Sequence, residues 1–305
     1  MPKRLLLIMN PCAGMKRANK YLADILSLFT GFGYENIVYM TSTKGDGTRL
    51  AREKSKEADL VVCIGGDGTL NEVIMGLMEA GVQKPIGYIP AGSTNDLATS
   101  LKLSKNIMQA AKDIMVGKPS RYDVGCFNGR TFCYIASFGA FTRVSYTTPQ
   151  NTKNYLGHLA YVLEGMKDIP SIKPVRLRVE VNGVTYEDDY IFGAFSNATS
   201  IGGILTMDPS IVKMDDGLLE MVLIRFPQNP VEWSRILFSL NQQQYDPELI
   251  SFCLTGEAKI YANKSVPWTL DGEYSEGTDY IEIHTVPNAM ELITSPRRKV
   301  PAEKQ

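Results

Sequence analysis

Unbroken runs of apolar residues mark four strands in the first third of the chain, at 4–9, 36–40, 59–64 and 85–89. Strands that are buried on both faces of a parallel sheet have this pattern, because helices cover both sides. Helical periodicity lies between and after these runs, near 16–30, near 46–57, from 69 onward and near 104–116. The alternation predicts a doubly wound α/β layer.

The pattern changes between residues 118 and 126. Strand-like runs now flank Asn128-Gly129 and Asn182-Gly183, and Asn-Gly between such runs strongly favours a β-hairpin. Two helical stretches interrupt the strands, near 155–168 and near 230–240. The second part of the chain is therefore predicted to be mainly antiparallel β-structure.

Composition narrows the class of protein. The 305 residues, 44% of them hydrophobic, suffice for two domains, and 32 basic residues nearly balance 33 acidic ones, so no overall field favours nucleic acid. Five scattered cysteines and two histidines fit neither a zinc pattern nor a disulfide framework, which favours a reducing cytoplasm. No apolar run approaches the roughly 18 residues of a membrane span, so no transmembrane segment is expected.

The stretch GGDGTLNE, residues 65–72, follows the third strand and opens a helix. Its glycines allow close approach of a ligand to backbone amides at a helix N-terminus, where the macrodipole also favours an anion such as a phosphate. An ordinary turn with Asp67 or Thr69 as helix N-cap is the alternative. Two more small-residue turns follow the first and fourth strands, at 10–14 and 90–96, and such strand ends converge on one crevice.

Two later segments carry acids. In WTLDGEY, residues 268–274, Asp271 and Glu273 would face the same side of an extended segment; the alternative is a hairpin, because Asp-Gly is a favoured turn pair. The segment 212–220 also reads as a turn, most simply a hairpin.

In this order, GGDGTLNE, PAGSTND (90–96), KMDDG (213–217) and LDGEY (270–274) resemble four motifs of the soluble bacterial diacylglycerol kinase family, which is related to sphingosine kinases and, through GGDGT, to NAD kinases. The resemblance covers nearly the whole chain. It implies an α/β ATP-binding domain over 1–122, a β-sandwich lipid-substrate domain over 123–288, and a C-terminal segment, 289–305, with a frayed tail. A return of that segment to the first domain is left open.

The resemblance also implies the site residues. The ATP contacts would be Asn10, Pro11, Cys12, Ala13, Gly14, Thr41, Gly66, Asp67, Gly68, Thr69, Leu70, Asn71, Glu72 and Ser93, the last standing where the family more often has Thr. Glu273 would be the general base, and Asp67 would also serve catalysis as a partner of Mg²⁺ or its water shell, since an acid beside a phosphate needs a cation between them. A structural Mg²⁺ would be held by Asp216 and the carbonyls of Lys213 and Leu218.

The expected activity is that of an ATP- and Mg²⁺-dependent lipid kinase that converts diacylglycerol to phosphatidic acid. The protein would be cytoplasmic and peripheral to the inner membrane face, with a lipid substrate as partner, no nucleic acid, and a homodimer left open. Another lipid alcohol (ceramide, a sphingoid base, undecaprenol), an NAD-kinase-like activity, or a nucleotide-binding regulator are the alternatives. An apolar helical stripe near 155–166 is either core or a lipid-facing wall, and the basic clusters at 2–4 and 296–299 either meet headgroups or are solvated.

Overall fold

The computed structural model describes residues 2–139, 173–201, 205–207, 210–262 and 266–295. The predicted helix near 155–168, with its apolar stripe, and the basic cluster at 296–299 lie outside the described residues. The chain divides into two compact units. Unit 1 comprises Met1–Tyr122 and Asn288–Gln305, and unit 2 comprises Asp123–Pro287.

Unit 1 is built on a parallel sheet of β1 (Lys3–Met9), β2 (Tyr34–Met40), β3 (Leu60–Gly65) and β4 (Ile86–Pro90). The strand order is β4-β3-β1-β2, and Leu292 of the C-terminal segment pairs in parallel with Ile86. Every residue of β3 and β4 is buried, as expected for strands that are covered on both faces.

Five α-helices connect and cover these strands: α1 (Leu22–Gly31), α2 (Asp46–Lys54), α3 (Asp67–Glu79), α4 (Asp96–Ser100) and α5 (Ile107–Val116). Ile25 of α1 and Ala111 of α5 share one core cluster with Leu5 and Leu7 of β1. Helices α2 and α3 pack against each other. Leu6 lies on the opposite face of β1 from Leu5 and Leu7 and is also fully buried. The predicted doubly wound α/β fold is confirmed.

Some boundaries in unit 1 differ from the prediction. Two 3₁₀ turns, Ala13–Lys16 and Asn19–Tyr21, precede α1, so the helix expected near 16–30 begins later. Helix α3 begins at Asp67, not at 69, because Gly66 takes an extended conformation and serves as the N-cap. The short helix α4 was not predicted, since five residues give too little periodicity.

Unit 2 is antiparallel. Its strands are β5 (Lys118–Phe127, which contains the first boundary), β6 (Arg130–Phe132), β7 (Ile135–Gly139), β8 (Val175–Val181), β9 (Val184–Ser196), β10 (Ser200–Ile201), β11 (Leu205–Thr206), β12 (Leu219–Arg225), β13 (Ile250–Thr255), β14 (Glu257–Ala262), β15 (Trp268–Leu270), β16 (Glu273–Ser275) and β17 (Tyr280–Thr294, which contains the second boundary). The helix α6 (Pro230–Gln242) lies between β12 and β13.

Strand order in unit 2 runs β16-β15-β7-β9-β8-β14-β17, and β12 pairs with both β9 and β13. Both predicted Asn-Gly hairpins are confirmed: Asn128 and Gly129 join β5 to β6, Asn182 and Gly183 join β8 to β9, and all four have positive φ, as two-residue type I′ turns require. Inward residues of most strands form one apolar core, in which the Trp268 ring contacts Phe127 and Phe138.

One predicted hairpin is wrong. The turn at 213–217 leads into β12, but β12 pairs with β9, which already ends at Ser196, and with β13, so this turn does not connect two paired strands. Among the described helices, none is long and apolar enough to cross a membrane.

Candidate functional site

The three small-residue turns of unit 1 meet at the carboxyl ends of β1, β3 and β4. The Asn10 amide donates to the Ile64 carbonyl at 2.9 Å, and the Ala91 amide donates to the Gly65 carbonyl at 2.7 Å. The Asn10 side chain donates to the Thr69 hydroxyl at 3.3 Å. The convergence expected from strand order is therefore present in the backbone of this unit.

Glycine is required where the turns touch. Gly14 has φ +48°, and a Cβ there would collide with the Ala91 carbonyl. A Cβ on Gly92 would lie 2.5 Å from the Gly66 Cα. By contrast, a Cβ on Gly68, in the first turn of α3, would meet nothing within 4 Å. The turns therefore pack tightly against one another at Gly14 and Gly92, whereas the space beside Gly68 in the first turn of α3 is open. Amides in the first turn of a helix lack partners within the helix.

Asp67 does not cap its own helix. The N-cap of α3 is Gly66, without a side-chain hydrogen bond. The Asp67 carboxylate instead accepts the amides of Asp96 at 3.0 Å and Leu97 at 3.3 Å, at the start of α4. Burial raises the pKa of the Asp67 carboxyl, and these backbone hydrogen bonds oppose the rise. The carboxylate thus ties the GGDGT turn to the PAGSTND turn.

Asn95 fixes the PAGSTND turn from inside. It has a left-handed conformation, with φ 55°, and its side chain accepts from the Gly92 amide at 3.0 Å and donates to the Gly92 carbonyl at 2.8 Å. The buried Tyr88 hydroxyl lies 3.2 Å from Asn95 Oδ1 and 3.3 Å from the Gly65 carbonyl oxygen. Asn95 was missed as a site residue, although Asn is one of the few residues that adopt this conformation readily.

Glu72 has a structural contact. Its carboxylate accepts the amides of Gly45 at 2.8 Å and Gly47 at 2.9 Å, where α2 begins. A carboxylate at a helix N-terminus is stabilised by the amides and by the macrodipole. Its predicted contact with the nucleotide stays a prediction.

The other predicted ATP contacts lie around the same turns. Thr41 donates its amide to the Met9 carbonyl at 2.9 Å, which sets it beside the 10–14 turn. Cys12 and Ser93 are exposed, whereas Leu70 is 1% exposed and Asn71 is 9% exposed. A nucleotide contact from Leu70 would therefore come from its main chain.

In unit 2, the acids of the LDGEY motif point to different partners. Asp271 and Gly272 both have positive φ and form the turn between β15 and β16, so the predicted Asp-Gly hairpin is confirmed and the alternative of one extended segment is wrong. Asp271 is 4% exposed. Its carboxylate accepts the amides of Cys133 at 2.6 Å, Tyr134 at 3.0 Å and Ile135 at 3.0 Å.

Glu273 lies at the edge of that hairpin. Its carboxylate accepts a hydrogen bond from the Arg130 guanidinium at 3.2 Å, and its side chain is 29% exposed. Arg130 directly follows the Asn128-Gly129 turn and was not predicted as a site residue, because nothing local links positions 130 and 273. The ion pair orients a carboxylate that solvent can still reach.

The turn at 213–217, which is predicted to hold a structural Mg²⁺ and is called the metal turn below, offers oxygen atoms as ligands. Asp216 is exposed, and its Oδ1 accepts the Leu218 amide at 3.1 Å. Among the described residues, no group of three or more His, Cys, Asp and Glu side chains could hold a metal ion, so an ion here would depend on carbonyl groups and water. Mg²⁺ prefers such a set of hard oxygen donors and keeps several waters, and the donors of this turn fit it.

Glu220 lies just beyond the turn and was not predicted. It is 1% exposed, and its Oε2 is buried without a hydrogen-bond partner among the described residues. Burial raises the pKa of the Glu220 carboxyl to about 8, and the Asp216 carboxylate adds to the rise. The exposed Asp216 of the turn is therefore followed by a buried acid at the start of β12.

Comparison with known proteins agrees with these motifs. The family model described as "Diacylglycerol kinase catalytic domain" matches residues 4–127, and "YegS C-terminal NAD kinase beta sandwich-like domain" matches 135–294. The chain is 32% identical over 275 residues to a diacylglycerol kinase of Bacillus subtilis (strain 168), covering 89% of this chain and 90% of the relative. With that of Staphylococcus saprophyticus the identity is 34% over 225 residues, with 73% of each chain covered.

Solved structures share the fold. A crystal structure of a diacylglycerol kinase from Bacillus anthracis str. Sterne has a TM-score of 0.76 at 22% identity, covering 97% of this chain and 98% of that one. The identity to the curated relatives extends over most of both proteins, and the matched family models cover both units. The chain therefore belongs to the diacylglycerol kinase family of lipid kinases, which are phosphotransferases.

Proposed function

We propose that this protein transfers the γ-phosphoryl group of ATP to the free hydroxyl of diacylglycerol, giving phosphatidic acid, and that it requires Mg²⁺. The use of ATP is supported by one observation: the three turns of unit 1 converge beside the N-terminus of α3, where the space at Gly68 is open. The relatives named diacylglycerol kinase support the choice of acceptor.

In this proposal unit 1 holds the nucleotide. Amides of the first turn of α3 and of the 10–14 turn would bind phosphate oxygens, since a helix N-terminus favours an anion. Asp67, whose carboxylate is held by the amides of α4, would face the water shell of a cation at the phosphates. Mg²⁺ would neutralise the negative charge that spreads over the transferred group.

Unit 2 supplies the base and the metal turn. Glu273, oriented by Arg130, would take the proton of the acceptor hydroxyl as its oxygen bonds to the γ-phosphorus and the bond to ADP breaks. Asp216 and the carbonyls of Lys213 and Leu218 would hold a structural Mg²⁺. Because diacylglycerol resides in membranes, the enzyme would act as a cytoplasmic protein in peripheral contact with the inner face.

The direct test is transfer of labelled phosphate from ATP by the purified 305-residue chain. Diacylglycerol, ceramide, sphingosine, undecaprenol and NAD are offered separately, the lipids in mixed micelles, with Mg²⁺ or with EDTA. We expect labelled phosphatidic acid only with Mg²⁺. Transfer to NAD alone would overturn the lipid assignment, transfer to another lipid would change the acceptor, and transfer to none would favour a nucleotide-binding regulator.

A native thiol tests the nucleotide site without turnover. Cys12 lies in the 10–14 turn and is exposed, whereas Cys63, Cys126 and Cys133 are buried and Cys253 is intermediate. ATP with Mg²⁺ should slow modification of Cys12 by a thiol reagent, with the modified peptide identified by mass spectrometry. Equal modification rates with and without saturating ATP would contradict the assigned phosphate turns.

A further inference from the structure

Asn197 connects the two motif-bearing turns of unit 2. It is fully buried, and it lies directly after β9. Its amide donates to the Tyr134 carbonyl at 3.0 Å. The amide of the same Tyr134 donates to the Asp271 carboxylate at 3.0 Å. Two hydrogen bonds therefore separate Asn197 from the turn that presents Glu273.

The side chain of Asn197 reaches the other turn. Its Nδ2 donates to the Asp123 carbonyl at 2.8 Å and lies 3.4 Å from the Met214 carbonyl oxygen. Asp123 is also fully buried, and its carboxylate accepts the Gly217 amide at 2.6 Å. The segment that carries Asp216 is thus held on both sides by a buried polar pair.

The bonding around Asn197 is incomplete. Among the described residues, its Oδ1 is one of the few buried side-chain atoms without a hydrogen-bond partner. A buried polar group without a partner is destabilising, whereas a buried polar network that is satisfied makes the local geometry rigid. The Asn197 side chain contacts the Asp123 and Met214 carbonyls, which no apolar side chain could do, and its main-chain amide bonds the Tyr134 carbonyl.

We propose that Asn197 is a positioning residue that couples the Asp216 turn to the Glu273 hairpin, so that the state of the metal turn sets the placement of the base. The inference rests on the proposed function of both turns. Asn197 lies outside the four motifs, yet it would be needed for the Asp216 turn to influence the position of Glu273. A purely structural role predicts instead that loss of Asn197 lowers stability and activity independently of Asp216.

A double-mutant cycle separates these roles. Asn197→Ala removes both Nδ2 contacts but keeps the main-chain bond to Tyr134, so it cuts the connection on the metal side. We expect kcat to fall about tenfold with the KM for ATP unchanged within about twofold, because unit 1 is untouched. In the Asp216→Ala background the same substitution should lower kcat by less than about twofold. If the fall in kcat of the double variant equalled the product of the falls in the two single variants, the coupling would be overturned.

The matched control is Asn182→Gly. It removes another side-chain hydrogen bond within unit 2, from Asn182 Nδ2 to the Leu254 carbonyl at 2.8 Å, and glycine accepts the φ of 52° at that position. Its small effect on kcat should be the same with and without Asp216. If it matched the pattern of Asn197→Ala, the coupling would not be specific and the inference would fail.

A readout without turnover completes the test. Mg²⁺ should raise the Tm of Asn197→Ala as it does that of the wild type, because the ligands of the turn are kept, and it should not raise that of Asp216→Ala. If Asn197→Ala fails to fold, Asn197→Ser, whose hydroxyl is too short to span both carbonyls, carries the same cycle. Wild-type turnover in Asp216→Ala would overturn the metal turn itself, whereas impaired but additive variants would overturn only the coupling.

Discussion

The acids of unit 1 and unit 2 are used differently, although both sets lie in short glycine-containing motifs. In unit 1, Asp67 and Glu72 both accept main-chain amides from other segments. In unit 2, Asp271 does the same with three amides, but Glu273 and Asp216 keep contact with solvent. Unit 1 thus uses its acids to assemble turns, and unit 2 keeps one acid per turn available for chemistry.

This difference has a physical reason. A phosphate site needs amides and must not present bare carboxylates, because like charges repel. Backbone amides that bind the acids also reduce their negative potential toward a neighbouring anion. A general base, by contrast, must be reachable and able to take a proton. Asp67 meets the first demand, because its carboxylate is bound by the amides of Asp96 and Leu97.

The largest expected effect is on turnover. Glu273→Gln keeps size and hydrogen-bonding shape but cannot accept the hydroxyl proton, so kcat should fall about 10²- to 10⁴-fold. The Tm should change little, because a half-exposed ion pair with Arg130 contributes at most about 1 kcal/mol. Glu276→Gln, at an exposed acid directly after β16, is the control and should keep wild-type turnover. Phosphate transfer by Glu273→Gln at near the wild-type rate would remove Glu273 as the base.

Asp271→Asn, unlike Glu273→Gln, should mainly lower stability. Asn tolerates the φ of 49° at this position. Its Nδ2 is a donor, however, and would face a backbone amide that now donates to the buried Asp271 carboxylate, so that hydrogen bond would be lost. We expect a loss of about 3 kcal/mol in the free energy of unfolding, measured with urea. Glu273→Gln, two residues away, is the matched control. Equal losses for both variants would erase the distinction between a structural and a chemical acid.

Local patterns predicted most of the fold. The apolar runs of β1 to β4, both Asn-Gly hairpins and the convergence of the three turns follow from burial, turn chemistry and strand order. The partners of the acids did not follow, because backbone amides have no signature in the sequence. Asp67 reaches an amide 29 residues away and Asp271 one 138 residues away. Arg130 and Asn197 were missed because their partners Glu273 and Asp123 are also far away in the sequence.

Glu220 gives an effect that depends on pH. Its pKa is raised from 4.5 to about 8 in the folded state, so between these values the folded protein keeps a proton that the unfolded chain releases. Stability should therefore fall as pH rises through this window. Glu220→Gln removes the dependence, and its stability relative to the wild type should increase by about 1 kcal/mol per pH unit.

The measurement is urea unfolding of both proteins in EDTA at pH 5.5, 6.5 and 7.5. Asp215→Asn, at an exposed acid within the turn at 213–217, is the control and should show a difference from wild type that does not vary with pH. If Glu220→Gln were offset from the wild type by the same amount at all three pH values, the raised pKa would be wrong.

The smallest effect concerns Glu72 and compares two carboxylates on the same helix. Glu72 accepts two amides at the start of α2, whereas Glu79 pairs with the Arg52 side chain at the surface, at 3.0 Å. Glu72→Gln leaves one amide without an acceptor and weakens the interaction with the helix N-terminus, so we expect a loss of about 1 kcal/mol. Glu79→Gln should cost less than about 0.5 kcal/mol and only at low salt. If Glu72→Gln left stability intact but raised the KM for ATP, Glu72 would be a nucleotide contact after all, and unit 1 would not use all its motif acids to hold turns.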